Sequence, residues 1–216
     1  MHKRYQNARF VTSAASVASL PPETGAEVAF AGRSNAGKSS ALNRICHQKA
    51  LARTSKTPGR TQQINFFDVG EGRHLVDLPG YGYARVEKSR QRQWGAFLQH
   101  YLLERGALRG LILLMDIRHP LTPLDEQLLN LCREAGVPVH VLLTKSDKLK
   151  RGQATTARRE VKKRLEAEGL HAEVQLFSAL NGEGLEAVQA RLDDWLGFGP
   201  PAGADAAAET SGPEAG

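Results

Sequence analysis

The chain has 216 residues, enough for one domain with a sizeable core and short extensions. Hydrophobic residues make up 41% and charged residues 24%, and the longest apolar run, Gly110–Met115, is strand-sized; a bilayer-crossing helix is therefore not expected. The net charge is +6, and the acidic residues beyond Gly199 (Asp205, Glu209, Glu214) leave +9 on the remainder, which suits a polyanionic partner, nucleic acid rather than membrane.

Lys3 and Arg4 are followed by no continuous apolar stretch, so no secretory signal is expected. Cys46 and Cys132 lack metal-ligand spacing and fit buried thiols in a reducing cytoplasm. Ala8–Ser13 reads as a short edge strand, and Leu20-Pro21-Pro22 ends it, which makes residues 1–24 an N-terminal extension. Glu27–Ala31 reads as a strand that feeds a glycine-rich loop, and Ser39–Ile45 as a helix after it. Ala50–Thr61, with Thr57-Pro58-Gly59, has no hydrophobic periodicity and reads as a mobile loop.

Gln63–Val69 and Arg73–Leu78 read as two strands joined by the Gly70-Glu71-Gly72 turn. Phe97, Leu98, Tyr101 and Leu102 fall three, four, seven and eight residues after Trp94, which is one helical face. Gly110–Asp116 reads as a buried strand, and Leu124, Leu128, Leu131 and Cys132 as a helix that Gly136 ends. Then come a strand at Val137–Leu143, a charged helix at Gln153–Glu168, a strand at Val174–Phe177, and a helix marked by Leu185, Val188, Leu192 and Trp195. Alternating strands and helices predict a three-layer α/β fold over residues 25–198, with a mostly parallel six-stranded sheet. The hairpin adds one antiparallel strand, the N-terminal segment a possible seventh, and residues 199–216 read as a disordered acidic Ala/Gly/Pro tail.

Gly32-Arg33-Ser34-Asn35-Ala36-Gly37-Lys38-Ser39 fits G-x-x-x-x-G-K-[ST], the phosphate-binding loop of P-loop proteins. The two glycines are expected to let the backbone turn so that successive N–H groups face a β-phosphate. Lys38 is expected to reach the β- and γ-phosphates and Ser39 to hold Mg²⁺, with the helix dipole adding positive potential. Asp77-Leu78-Pro79-Gly80 ends a strand, so Asp77 is positioned to hold Mg²⁺ through water and Gly80 to offer its N–H to a γ-phosphate. Thr144-Lys145-Ser146-Asp147 ends another. The Asp147 carboxylate can accept from guanine N1–H and the N2 amino group, whereas adenine leaves it unpaired at a cost of about 1–3 kcal/mol. The Lys145 stem can cover the base. Ser178-Ala179-Leu180, after the last strand, brings the Ala179 N–H toward guanine O6, with Phe177 counted among the nucleotide-site residues. In this order the motifs indicate GTP and GDP as ligands.

The loop before the hairpin must supply a threonine to Mg²⁺, and Thr54, Thr57 and Thr61 all qualify on chemistry alone. Tyr81 stands where small signalling GTPases carry a water-orienting Gln, so slow intrinsic hydrolysis is expected unless a monovalent cation, another side chain or a partner completes the site. Arg60 and Arg85 are either charge stabilisers or surface and RNA contacts. Lys148, Lys150, Arg151, Arg158, Arg159, Lys162, Lys163 and Arg164 face only Glu160 within that span, which suits phosphate neutralisation or a solvated helix face. Arg85, Lys88, Arg90 and Arg92 are placed to couple such binding to the nucleotide.

Taken together, Ala8-Arg9-Phe10, Val28–Asn35, Thr57–Gln62, Asp77–Ala84 and Thr144–Asp147 resemble the translation-factor-related GTPases, and more narrowly the EngB (YihA/YsxC) family, over approximately residues 7–198. The resemblance implies an Mg²⁺-dependent GTPase acting in large ribosomal subunit assembly, with a need in cell division and septation. With the basic surface, the expectation is a cytoplasmic monomer whose GTP form docks on a large-subunit precursor or ribosomal RNA. It makes Thr61 the Mg²⁺ ligand, with Gly59 and Arg60 beside it at the nucleotide, and Asn35 a residue linked to possible K⁺ assistance. The chain departs from the pattern at Ala36, where Val is common, and at Thr144, where many relatives have Asn, so a weaker bracing role is expected there. A GTP-dependent septation scaffold and a tRNA-modification-type GTPase are the alternatives.

Overall fold

Seven strands and five helices make up the computed structural model, which describes residues 4–52, 63–82 and 88–199, with the backbone alone over 88–94. The strands are β1 (Arg9–Ala14), β2 (Ala26–Gly32), β3 (Ile64–Asp68), β4 (Arg73–Asp77), β5 (Leu108–Asp116), β6 (Val139–Thr144) and β7 (Glu173–Leu176). The helices are α1 (Lys38–Ile45), α2 (Lys88–Glu104), α3 (Pro123–Glu134), α4 (Arg151–Ala167) and α5 (Leu185–Trp195). The sheet order is β1-β3-β4-β2-β5-β6-β7. Only β3 runs against its neighbours, pairing antiparallel with both β1 and β4. The N-terminal segment is thus a seventh strand, with a register shift between Phe10 and Thr12.

Every residue of β2 is buried, as a strand covered on both faces requires. Its alternation sorts the layers. Ala29 and Ala31 face a core shared with Tyr101 of α2, Leu128 of α3 and Val161 of α4. Val28 and Phe30 face the opposite core with Leu42 of α1 and Val188 of α5. The five parallel strands therefore all end at one edge of the sheet, the edge where α/β folds bind ligands.

At the other edge, Glu27 is 1% exposed and accepts from Arg105 Nη2 at 2.6 Å and from the Tyr101 hydroxyl at 2.9 Å. Arg105 also donates to the Pro21 carbonyl at 2.8 Å, which ties the N-terminal segment to the end of α2. Tyr5 donates to Asp193 Oδ1 at 2.7 Å, fastening the chain start to α5. Val17–Ser19 forms a short 3₁₀ turn before the irregular Leu20–Glu23 stretch.

Candidate functional site

The loop between β2 and α1 turns through Asn35 (φ 66°) and Gly37 (φ 90°), both left-handed. The expectation that two glycines supply the turn is corrected here. Gly32 ends β2 without positive φ, and its role is close approach: a Cβ there would lie 2.7 Å from the Leu114 carbonyl oxygen. The left-handed turn is shared between Gly37 and Asn35, a residue that tolerates that region. Lys38 then opens α1, and its ammonium pairs with the Asp77 carboxylate at the end of β4. Ser39 lies in the same first turn of α1.

β6 braces the loop from beneath. Thr144, 3% exposed, donates from Oγ1 to the Ala36 carbonyl at 2.6 Å, with the Met115 carbonyl 3.1 Å away. The bracing expected to be weak at a threonine is made in full, because the hydroxyl points straight at the loop backbone. Lys145, itself at φ 59°, sends Nζ to the Asn35 carbonyl at 2.7 Å and to Asp116 Oδ2 at 2.9 Å. Asp116 ends β5 and was not singled out from the sequence, although an aspartate closing a buried apolar strand is the same signal that marks Asp77. Hydrogen bonds from Arg118 and Lys145 hold its carboxyl well below the usual carboxylate range, so it stays anionic beside Lys145.

The last two segments are pinned to each other. Ser178 donates to Asp147 Oδ1 at 2.6 Å, which lowers the Asp147 pKa and leaves Oδ2 3.4 Å from the Lys148 ammonium. The Ser146 N–H donates to the Phe177 carbonyl at 3.2 Å, and the Ser146 hydroxyl bonds Glu183, a second residue not singled out earlier. Gly37, Ser40, Thr144, Lys145, Asp147 and Ala179 line one cavity of about 680 Å³, within the range of small-molecule pockets.

On the far side of the loop, Leu78 donates its N–H to the Phe30 carbonyl at 3.0 Å, and the Pro79-Gly80 turn follows. Gly80 lies against Ser34, where an added Cβ would be 3.4 Å from the Ser34 Cα and N. Arg33 and Tyr81 form an isolated parallel bridge in which the Ser34 N–H donates to the Tyr81 carbonyl at 2.8 Å. The Tyr81 phenol turns away and donates to Asp125 Oδ1 at 2.6 Å.

Thr54, Thr57, Gly59, Arg60, Thr61 and Arg85 lie outside the described residues, as do the side chains of Lys88, Arg90, Arg92 and Trp94. Among the described residues, no group of three or more His, Cys, Asp or Glu side chains converges. The oxygen donors at Ser39 and Asp77 suit a hard cation that keeps most of its shell as water and phosphate oxygen, which is how Mg²⁺ binds in phosphate sites.

The basic stretch is part salt-laced and part free. Arg164 pairs with Glu126 and with Glu168 at 3.3 Å, and Lys162 with Glu166 at 3.7 Å. Lys150, Arg151, Arg158, Arg159 and Lys163 are exposed and have no ion-pair partner among the described residues. Both cysteines are fully buried, and burial pushes each thiol up to about 12. No helix among the described residues is long and apolar enough to cross a membrane.

Residues 27–145 match the model of a family described as 50S ribosome-binding GTPase. The chain is 55% identical to the probable GTP-binding protein EngB of Nitrosococcus oceani, over 92% of this chain and all of that protein. Among solved structures it resembles a probable GTP-binding protein EngB at TM-score 0.65 and 22% identity, covering 79% of this chain and 98% of that one. It also resembles Era in complex with MgGDPNP and a fragment of 16S ribosomal RNA, at TM-score 0.60 and 22% identity, over 83% of this chain and 59% of that one.

Proposed function

Because the chain belongs to the EngB family of GTP-binding P-loop GTPases, we propose that it is a GTP-hydrolysing switch in assembly of the large ribosomal subunit, docking on a precursor particle or its RNA through the basic surface. The observation that carries the guanine part is the Ser178–Asp147 bond, which orients a carboxylate at the mouth of the cavity with acceptor capacity to spare. In this reading Asp147 accepts from guanine N1–H and N2, the Lys145 stem covers the base, and the Ala179 N–H meets O6. Thr144, Ser146 and Phe177 hold those three in place.

The loop from Gly32 to Ser39 cradles the phosphates with N–H groups at the Gly37 turn and the start of α1, and Lys38 gives up Asp77 for the β- and γ-phosphates. Ser39, Asp77 and Thr61 would hold Mg²⁺, which when bound neutralises charge on the β- and γ-phosphate oxygens. Gly80 donates its N–H to the γ-phosphate, with Leu78 and Pro79 setting its height, and Gly59 and Arg60 are further nucleotide-binding residues in this reading. A water oxygen attacks the γ-phosphorus, the bond to the β-phosphate oxygen breaks, and GDP and phosphate leave. Asn35 would hold K⁺ if a monovalent cation assists. Tyr81 orients no water, so turnover without a partner is slow.

The cations on and before α4 that have no ion-pair partner among the described residues supply a docking surface for phosphates, whose affinity should fall steeply with salt. The protein acts as a cytoplasmic monomer, and a defect in division or septation is expected to follow from failed assembly. Depletion followed by sedimentation tests this. Large-subunit precursors should accumulate, and the protein should co-sediment with them in GTP and leave in GDP; binding that ignores the nucleotide would overturn the switch.

A further inference from the structure

Asp125 sits at the third position of α3 and is 1% exposed. One of its oxygens closes the helix cap: Oδ2 accepts from the Thr122 N–H at 2.8 Å and from its hydroxyl at 2.7 Å. Capping requires no more than that. The second oxygen accepts the Tyr81 hydroxyl at 2.6 Å, and no Lys or Arg among the described residues pairs with this carboxylate. Burial and the neighbouring Asp125 charge raise the Tyr81 pKa, so the phenol remains a donor at every working pH.

The same tyrosine is joined to the phosphate loop by its backbone. Its carbonyl accepts the Ser34 N–H at 2.8 Å, and its N–H faces the Gly32 carbonyl at 3.4 Å. Leu124, next to Asp125, packs where a Cβ on Gly82 would lie 3.4 Å from its Cδ1. Residues 80–82 are thus held at two points, the phosphate loop and the N-terminus of α3.

We infer that Asp125 is a positioning residue for GTP hydrolysis, acting through the Tyr81 phenol to hold the Gly80 turn at its working distance from the phosphate loop. The inference rests on the nucleotide site proposed above. It explains what a tyrosine does at a position where a carboxamide would orient water: its polar end serves as a tether, and the chemistry is left to groups placed by the tethered backbone. Preorganised placement matters most at the transition state, so losing the tether should lower kcat and leave ground-state binding nearly unchanged.

The test compares Tyr81→Phe, Asp125→Ala, the double variant and Thr122→Val in full-length protein. Steady-state GTP hydrolysis, GDP affinity and amide exchange at Ser34 are the readouts. Tyr81→Phe and Asp125→Ala should each lower kcat about tenfold with KM within twofold, which corresponds to about 1.4 kcal/mol. The double variant should be no slower than the worse single, and Ser34 should exchange about tenfold faster in Tyr81→Phe. Thr122→Val weakens the cap but spares the tether, so it should lower Tm and keep kcat within twofold. An unchanged or raised kcat in Tyr81→Phe, additive losses in the double, or an equal loss in Thr122→Val would overturn the assignment. Wild-type protein that bound no GTP would sink the function proposed above and this inference together; a silent Tyr81→Phe in a chain that turns GTP over sinks the inference alone.

Discussion

Thr144→Val tests the join between β6 and the phosphate loop. The hydroxyl has one hydrogen, and the 2.6 Å contact to the Ala36 carbonyl is the better acceptor than Met115 at 3.1 Å. Valine fills nearly the same space, so no cavity term enters. It leaves a buried carbonyl without its donor and loses one buried hydrogen bond, together about 1–3 kcal/mol. Thr144→Ser keeps the hydroxyl and sheds only a buried methyl, which costs about 0.8 kcal/mol. Urea unfolding of the nucleotide-free protein should rank wild type above serine above valine. GDP affinity should fall for valine alone, since Ala36 lies in the loop proposed to cradle the phosphates. A valine variant within about 0.5 kcal/mol of wild type, or a serine variant as unstable as valine, refutes the claim that the hydroxyl braces the loop.

Three further outcomes follow from the same geometry. Asp147→Asn should weaken GTP by about 1–3 kcal/mol and improve xanthosine triphosphate, whose ring carries a carbonyl in place of the N2 amino group; competition binding with unchanged base preference would discredit the guanine assignment. Arg105→Met strands the Glu27 carboxylate in the core and should cost about 3–5 kcal/mol in chemical denaturation, while GDP affinity of the folded fraction stays put because the pair lies at the opposite edge of the sheet. Cys46 and Cys132, buried and raised to about 12, hold their protons at pH 8, so a thiol reagent should label neither until denaturant is added, and rapid labelling of the folded protein would contradict their burial.

Much of the fold was open to reading because its signals are local. The continuous burial of β2, the apolar run of β5 and the helical spacing of Phe97, Tyr101 and Leu102 each follow from contacts that any strand or helix with that pattern must make. The phosphate loop was legible for a related reason. Its chemistry resides in the backbone, and glycine, lysine and serine at fixed spacing are what that backbone demands. Even so, the role of Gly32 came out differently, since close packing against Leu114 is a contact across strands 82 residues apart and leaves no trace in local spacing.

What only the tertiary structure decided is how the segments hold one another. Tyr81 and Asp125 are 44 residues apart, and Thr144 and the Ala36 carbonyl 108. Asp116 acquires its partner Lys145 only because β5 and β6 lie side by side. Such pairs depend on strand order and helix placement, which no single stretch encodes. By itself the sequence determined which groups could meet a guanine nucleotide; the sheet determined which of them brace the loop, and that the tyrosine beyond Gly80 bonds the loop through its backbone while its phenol is anchored to a helix.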